Sequence, residues 1–415
     1  MAVRSAMHRA GAAGLTELLQ FTAPSVDRRT IPCSCGQQAC YVELRAKTIL
    51  TAVGEVRISR PYYLCPHCHN GQFPADVELD IKDALSSPGV RRMEAVLGQE
   101  APFDQGRQRL KLLAGLEVTA KSVERAAEAV GADIAARQQA QIQRALQLDL
   151  PIAAGEPIPI LYVQMDGTGV PVVKKETVGR ASKTAGQPAH TREVKLGCVF
   201  TQTSWDEDGR PIRLPDSTTY VGAIETAEEF GKRLYVEASE RGWSRALVRV
   251  VMGDGSVWIW NQADLHFPGA IQILDQYHAR EHLWELARKL FPNDTAQQNR
   301  WMMVHQDWLD NGKIKKLVTS LQSIQTSSAE LAEKLGAQAE YFRRNAMRMR
   351  YPKFRRLHLF VGTGVMEAGC KTVVGSRFKQ SGMFWTVRGL NAVLALRCCY
   401  LNGRFEDYWD ARRAA

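Results

Sequence analysis

Three carboxylates stand out by their surroundings. Asp166 in "VQMDGTG" and Asp254 in "VVMGDGS" each follow a short apolar run and precede glycine. Glu367 in "GVMEAGCKTVVGSRFK" is the one acid between Tyr341 and Lys379, a stretch with ten Lys or Arg. Taken singly, an Asp before Gly at a strand end is usually a plain turn residue. Taken together, the three suit phosphoryl chemistry. A two-metal site needs hard oxygen ligands from distant parts of a chain, with the ions about 3.5–4 Å apart. Mg²⁺ keeps part of its water and takes only a few protein carboxylates. Two strand ends and one helix start can supply such a set. Asp166, Asp254 and Glu367 are therefore the expected ligands of two Mg²⁺ ions, with Mn²⁺ as a substitute. Side by side, the two Asp repel, which calls for a cation unless one stays protonated.

Basic groups lie close to these acids in the chain. Lys371 is four residues after Glu367 and shares its helix face. Arg377, Lys379 and Arg388 are expected to continue a positive surface there. Asp275 and His278 in "DQYHAREHLW" follow an apolar run. Asp275 suits a helix cap, and His278, one turn in, suits a phosphate contact or an ordering role.

A second cluster is built from sulfur. "CSCG" gives Cys33 and Cys35, and "CPHC" gives Cys65 and Cys68. Two close pairs about thirty residues apart fit a zinc ribbon, each pair on a hairpin knuckle. Between them, "YVELRAKTILTAVGEVRISRPYYL" alternates as strands do, around a Gly. Cys40, His67 and His69 are further candidate ligands. Such a Zn²⁺ would stabilise the fold and do no chemistry. The nine cysteines, without a secretory apolar segment, read as metal ligands or core thiols and not as disulfides.

The charge balance narrows the partners. The chain has 415 residues and a net charge of +10, concentrated around residues 341–379. That concentration, interleaved with Tyr, Phe and Trp, suits a polyanion and nucleic acid in particular. No apolar run is long enough to span a membrane. No GxxxxGK[ST] loop or hydrolase-type Ser/His/Asp motif occurs, so NTPase and triad-hydrolase chemistry are poor fits.

The elements that must position these groups follow from periodicity. Residues 1–30 read as a basic N-terminal arm before a short helix, and 31–82 as the zinc-ribbon-like module. Residues 83–150 are helical, broken at 101–102 and 114–118. Within them "FDQGRQRLKLLAGLEVTAKSVERAAEAVG" reads helix, Gly turn, helix, with Thr119 as cap and Ser122, Arg125 and Glu128 on one face. This suits a helix-turn-helix DNA-binding module, or an ordinary helical hairpin. Lys121 and Arg125 are its expected DNA contacts, and Arg350, Lys353, Arg355, Arg356 and Lys379 those of the later basic stretch. Residues 151–292 give three strands, then helix, strand, helix, strand, helix. Thr226 with Glu229 forms a capping box. Residues 293–362 read as a helical insertion, and 363–415 as a last core helix and tail. The resulting fold class is α/β: a ribonuclease-H-like core with a helical insertion, preceded by the two smaller modules.

The motifs "YVQMDGTGVPVVKKET", "REVKLGCVFTQT", "VVMGDGSVWIWNQADLHFPGAIQILDQYHAREHLWELARKLFPND" and "LFVGTGVMEAGCKTVVGSRFKQSGMFWTVRGLNAVLALRC" together resemble bacterial insertion-sequence transposases of the ISKra type, within the DDE class. The resemblance covers most of residues 155–412 and extends less specifically to the cysteine segment. It implies that Asp166, Asp254 and Glu367 are the catalytic acids, and that Asp275 and His278 match the D-x-x-H pattern of related enzymes. It implies binding of double-stranded DNA at terminal inverted repeats and at a target, Mg²⁺-dependent cleavage and strand transfer, a homodimer or larger synaptic complex, and a cytoplasmic, nucleoid-associated location without membrane contact. The alternatives are a DNA-binding regulator with a silent catalytic domain and a structure-specific nuclease on the same fold.

Overall fold

The computed structural model describes residues 2–147, 154–181 and 189–413. The expected module boundary at 150/151 lies outside these residues. The chain divides into two compact units, Met1–Val130 and Gly131–Ala415.

The short helix expected after a basic arm already begins at Ala2. Helix α1 (Ala2–Leu18) is rich in Ala, a strong helix former. Its Ala12 and Leu15 pack with Leu19 on Ile49, Val56, Ile58 and Ile81. That apolar seat is tertiary, so the basic composition alone does not reveal it. An antiparallel sheet follows: β1 (Thr30–Pro32), β2 (Gln38–Thr51), β3 (Gly54–Leu64) and β4 (Gly71–Gln72), in that spatial order. Helix α2 (Pro74–Glu78) carries Asp76, whose buried carboxylate accepts two bonds from Arg60, at 2.7 and 3.1 Å.

Three helices complete this unit's fold: α3 (Pro88–Glu100), α4 (Phe103–Ala114) and α5 (Ala120–Leu146), the last running on past Val130. Helix α4 stops at Gly115, whose φ of +71° closes the helix in the left-handed region. The Thr119 hydroxyl accepts the Ser122 N–H at 3.0 Å, as the cap reading requires. Gly98 lets α3 approach α5 closely, since a Cβ there would lie 2.7 Å from that of Ala127.

The second unit is built on a mixed sheet. Its elements are β5 (Ile158–Pro171), β6 (Thr191–Trp205), β7 (Pro211–Arg213), β8 (Thr219–Ala223), α6 (Ala227–Glu240), β9 (Ala246–Gly253), α7 (Val257–His266), β10 (Ile271–Leu274) and α8 (Gln276–Leu290). The strand order is β10-β9-β5-β6-β7, with β8 also paired to β6. Strands β10, β9 and β5 are mutually parallel, while β6 is antiparallel to β5 and β8. The Thr226 cap of α6 forms, accepting the Glu229 N–H at 3.3 Å, and its apolar face buries Phe230, Leu234 and Ala238.

The segment expected as an insertion is helical: α9 (Thr295–Asp310), α10 (Ile314–Ser323), α11 (Ala329–Arg344) and α12 (Tyr351–Arg356). The chain then returns through α13 (Gly364–Gly369), a π-helical turn (Cys370–Gly375) and α14 (Ser376–Phe378). Helix α15 (Val387–Leu401) is almost wholly buried, and α16 (Phe405–Arg413) follows it. Two asparagines dock this return onto β8 and the residue after it. Asn391 bonds both the N–H and C=O of Ile224, and Asn402 those of Tyr220, all within 2.7–3.1 Å. The π-turn has its own support, because Arg397 donates to the carbonyls of Thr372 and Val373 at 2.7 and 2.9 Å. Carbonyls loosened from the α pattern thus keep partners.

Candidate functional site

The acids at 166, 254 and 275 stand on neighbouring strands at one end of the parallel pairing because of strand register. Gln164 on β5 lies opposite Met252 on β9, so Asp166 and Asp254 each stand two residues beyond a shared rung. Leu274 on β10 lies opposite Gly253, and the Asp275 N–H donates to the Gly253 carbonyl at 2.9 Å. Parallel strands lie about 4.8 Å apart, so the middle of β5 and the carboxyl ends of β9 and β10 present three acids on neighbouring strands. The sequence reading ended the first strand at Asp166. Instead β5 runs on to Pro171, because its pairing with β6 continues after its pairing with β9 has stopped.

Each acid has a defined environment. Asp166 accepts its neighbour Gly167 N–H on Oδ1 at 2.6 Å, and the Cys370 thiol lies 3.4 Å from Oδ2. Burial holds the Asp166 carboxyl above its ordinary range, and the negative charge of Asp254 adds to that. Asp254 accepts the Ser256 N–H at 2.6 Å. Asp275 is the cap of α8, accepting the Tyr277 N–H at 2.8 Å and the Thr363 hydroxyl. His278 is half-exposed, with Nε2 3.3 Å from that of His282 and Nδ1 3.4 Å from Glu281.

One face of β5 receives the returning chain. Alternate residues of a strand share a face, and four successive ones here each hold a group from residues 360–379. Tyr162 accepts the Phe360 N–H at 3.2 Å, and Gln164 Oε1 the Met366 N–H at 3.0 Å. Asp166 meets Cys370, and Thr168 accepts from the Lys379 ammonium. Glu367, next to Met366 in the first turn of α13, is therefore tied by its backbone to the strand that carries Asp166.

Its side chain is engaged elsewhere. The Glu367 carboxylate is exposed and pairs with Lys371 at 2.6 Å. Among the described residues, the three acids do not form a cluster whose oxygens all lie within 4.8 Å; the four cysteines are the group that does so with its sulfurs. Asp166 and Asp254 are the pair that could hold a divalent cation, since burial and the Asp254 charge both disfavour an ionised Asp166 with no cation beside it. Glu367 would have to exchange Lys371 for the cation.

The basic run is less uniform than its composition suggests. Arg377 is fully buried against Trp385, so it does not continue a positive surface. Burial holds its guanidinium down to about 10, with the Arg397 charge adding to the effect. Arg355 donates to Gln276 and to the Asp310 carbonyl, and Arg343 pairs with Glu340. Arg350, Lys353, Arg356, Lys379 and Arg388 are exposed, as are Lys121, which pairs with Glu124 at 2.7 Å, and Arg125. A cavity of about 610 Å³ flanks the α13 start, lined by Arg210, Tyr277, Arg355, His358 and Phe360 among others.

The cysteine cluster lies in the first unit. Cys33 and Cys35 sit between β1 and β2, and Cys65 and Cys68 between β3 and β4. Cys33 and Cys68 sulfurs are 3.5 Å apart, and those of Cys35 and Cys65 3.6 Å. A tetrahedral Zn²⁺ with Zn–S bonds of about 2.3 Å puts its sulfurs about 3.8 Å apart, so the four fit. The backbone N–H of Cys35 holds the Cys33 thiol down to about 6, which favours the thiolate a metal needs. Cys68 is pushed the other way, to about 12: the Asn70 N–H beside it lowers its pKa, but sharing hydrogen bonds with Cys33 and Cys35 outweighs this. Cys40, His67 and His69 stand outside the cluster.

Gln164, Cys370, Thr363 and Tyr341 were not singled out from sequence. Gln164 had a signal, being the polar residue inside the buried run "LYVQM" two positions before Asp166. The others are defined only by contacts across the fold.

The molecule is thus a mixed α/β protein with a four-cysteine cluster suited to a metal and an acidic sheet edge backed by helices. The chain belongs to the uncharacterised protein family UPF0236, which matches residues 26–410. No curated protein matches it. Among solved structures, the Drosophila P element transposase strand transfer complex is similar at 8% identity and a TM-score of 0.25, over 81% of this chain and 83% of that one. A score that low leaves the activity to be argued from this chain's own geometry.

Proposed function

We propose that this chain is a Mg²⁺-dependent DNA transposase of an insertion sequence, of the ISKra type in the DDE class. The observation that carries the reading is the shared register of Asp166 and Asp254 on adjacent parallel strands. The order β8-β6-β5-β9-β10, antiparallel strands first and parallel ones after, supports a ribonuclease-H-like core. The four docking contacts along β5 support a role for Glu367 beside these acids.

In this reading Asp166 and Asp254 would hold the cations, with Glu367 joining them on leaving Lys371, and bound Mg²⁺ would supply charge neutralisation for the attacking and leaving oxygens. Water attacks a phosphodiester phosphorus at the element's end, and the bond to the 3′ oxygen breaks to leave a 3′-OH. That 3′-OH then attacks a target phosphodiester, forming one P–O bond as another breaks. The protein's share is positioning and preorganised charge. Lys371, once released, with Lys379 and Arg388, would meet the phosphates. The modules at 31–82 and 83–150, with Lys121 and Arg125, would read the terminal repeats, and two ends would meet in a dimer or larger complex. The test is cleavage and strand transfer on end-containing DNA with Mg²⁺. Glu367→Gln is expected to abolish both steps and keep DNA binding; a variant that performs both overturns the reading.

A further inference from the structure

The helical insertion reaches the acidic edge through one side chain. Tyr341, in the last turn of α11, lies on the Asp254–Gly255 loop so closely that a Cβ on Gly255 would sit 1.9 Å from the Tyr341 Cε2 and 2.6 Å from its hydroxyl. Its ring stacks on His282 with centroids 4.2 Å apart, and His282 meets His278. The Tyr341 hydroxyl is buried and has no hydrogen-bond partner among the described residues. The same holds for Tyr351 Oη, on a side chain with no exposed surface, and for His282 Nδ1. A tyrosine hydroxyl is protonated at neutral pH and can donate.

Buried polar atoms in folded proteins are nearly always partnered, and exceptions point to a water, an ion or a function. Here the orphaned donor lies against the Asp254–Gly255 loop, at a sheet end that also carries Asp166 and Asp275. A hydrated divalent cation brings oxygens of the kind such a donor needs, because Mg²⁺ and similar ions keep several waters. Any residue larger than Gly at 255 would displace the Tyr341 ring, so the loop and the insertion are fitted to each other.

We infer that Tyr341 is a positioning residue of the acidic edge, its hydroxyl held for a water oxygen of a hydrated divalent cation bound at Asp166 and Asp254. The helical insertion is then part of the cation site and not only a spacer. This rests on the cation-binding part of the function proposed above.

The test uses the full chain without DNA. Mn²⁺ binding is followed by electron paramagnetic resonance and thermal melting by circular dichroism, for wild type, Tyr341→Phe and Asp254→Asn. Tyr341→Phe keeps the ring on Gly255 and removes only the orphaned hydroxyl. It is expected to melt no lower than wild type without metal, and to bind Mn²⁺ about 3- to 10-fold more weakly, the range for one lost hydrogen bond. A merely structural hydroxyl, satisfied by an internal water, predicts the reverse: a lower melting temperature and unchanged Mn²⁺ affinity, which overturns the inference. Unchanged affinity with wild-type binding that Asp254→Asn abolishes also overturns it while leaving the acidic edge as a metal site. Wild type that binds no Mn²⁺ overturns both.

Discussion

Removing the Gln164 side-chain amide should loosen the chain that carries Glu367. Gln164 is fully buried, and its Oε1 is 3.0 Å from the Met366 nitrogen. Met366 lies in the first turn of α13, where a backbone N–H has no acceptor within the helix. The first turn-closing bond is that of Glu367 to the Thr363 carbonyl, at 2.9 Å. Gln164→Leu keeps a similar volume but strands that N–H in a dry interior. An unsatisfied buried donor costs about 1–3 kcal/mol, partly offset by the apolar Leu in an apolar strand. A net loss of about 1–2 kcal/mol corresponds to a melting temperature lower by about 2–8 °C in a unit of this size. The assay pairs thermal melting with amide hydrogen exchange. Exchange should accelerate at residues 364–370 while β9 and β10 keep their protection. If melting is unchanged and the Met366 amide exchanges at the wild-type rate, Gln164 does not dock this helix and the positioning argument for Glu367 fails.

Purified protein should carry stoichiometric zinc, and Cys68→Ser or a strong chelator should remove it and release the β1–β4 sheet tips, read by metal analysis and exchange protection; a zinc-free protein with the same protection would refute a structural site. Glu94 is buried, accepts the Ser122 hydroxyl at 2.6 Å, and is held above its ordinary range chiefly by burial. A raised carboxyl favours the folded state below its unfolded pKa and loses that advantage as pH rises through the folded value. Glu94→Gln should therefore raise the melting temperature at pH 7–8 and much less near pH 4; a gain that does not vary with pH would contradict the assignment. Two glycines should respond in opposite directions. A Cβ on Gly131 would lie 1.9 Å from the Ala392 carbonyl oxygen, where α5 crosses α15, whereas one on Gly336 in α11 meets nothing within 4 Å. Gly131→Ala should cost about 1–3 kcal/mol or more by overpacking, and Gly336→Ala should stabilise by about 0.5–1 kcal/mol through helix propensity. Urea unfolding measures both, and equal effects would contradict the packing.

Much of the second unit was legible in the chain because its signals are local. Apolar runs ending in Asp and the Thr226 cap each depend on neighbours within a few residues. The cysteine pairs were legible for the same reason, since each knuckle is a short turn. The early start of helix α1, where an arm was expected, was not legible because its partner surface on β2 and β3 is remote in sequence. Arg377 was misread as surface because charge type outweighed what only packing reveals, an aromatic seat beside Trp385.

Residue types and their order along the chain thus determined which acids and cysteines exist and most of the strands, though not the short β7. The tertiary structure decided which of them meet. Asp166 and Asp254 are neighbours because of a register between distant strands. Met366, the residue before Glu367, is tied to Gln164 on the strand that carries Asp166, yet the Glu367 carboxylate rests on Lys371, one helical turn away. Side-chain placement of that kind follows from competition between local ion pairs and distant partners, and a linear pattern of residue types does not contain its outcome.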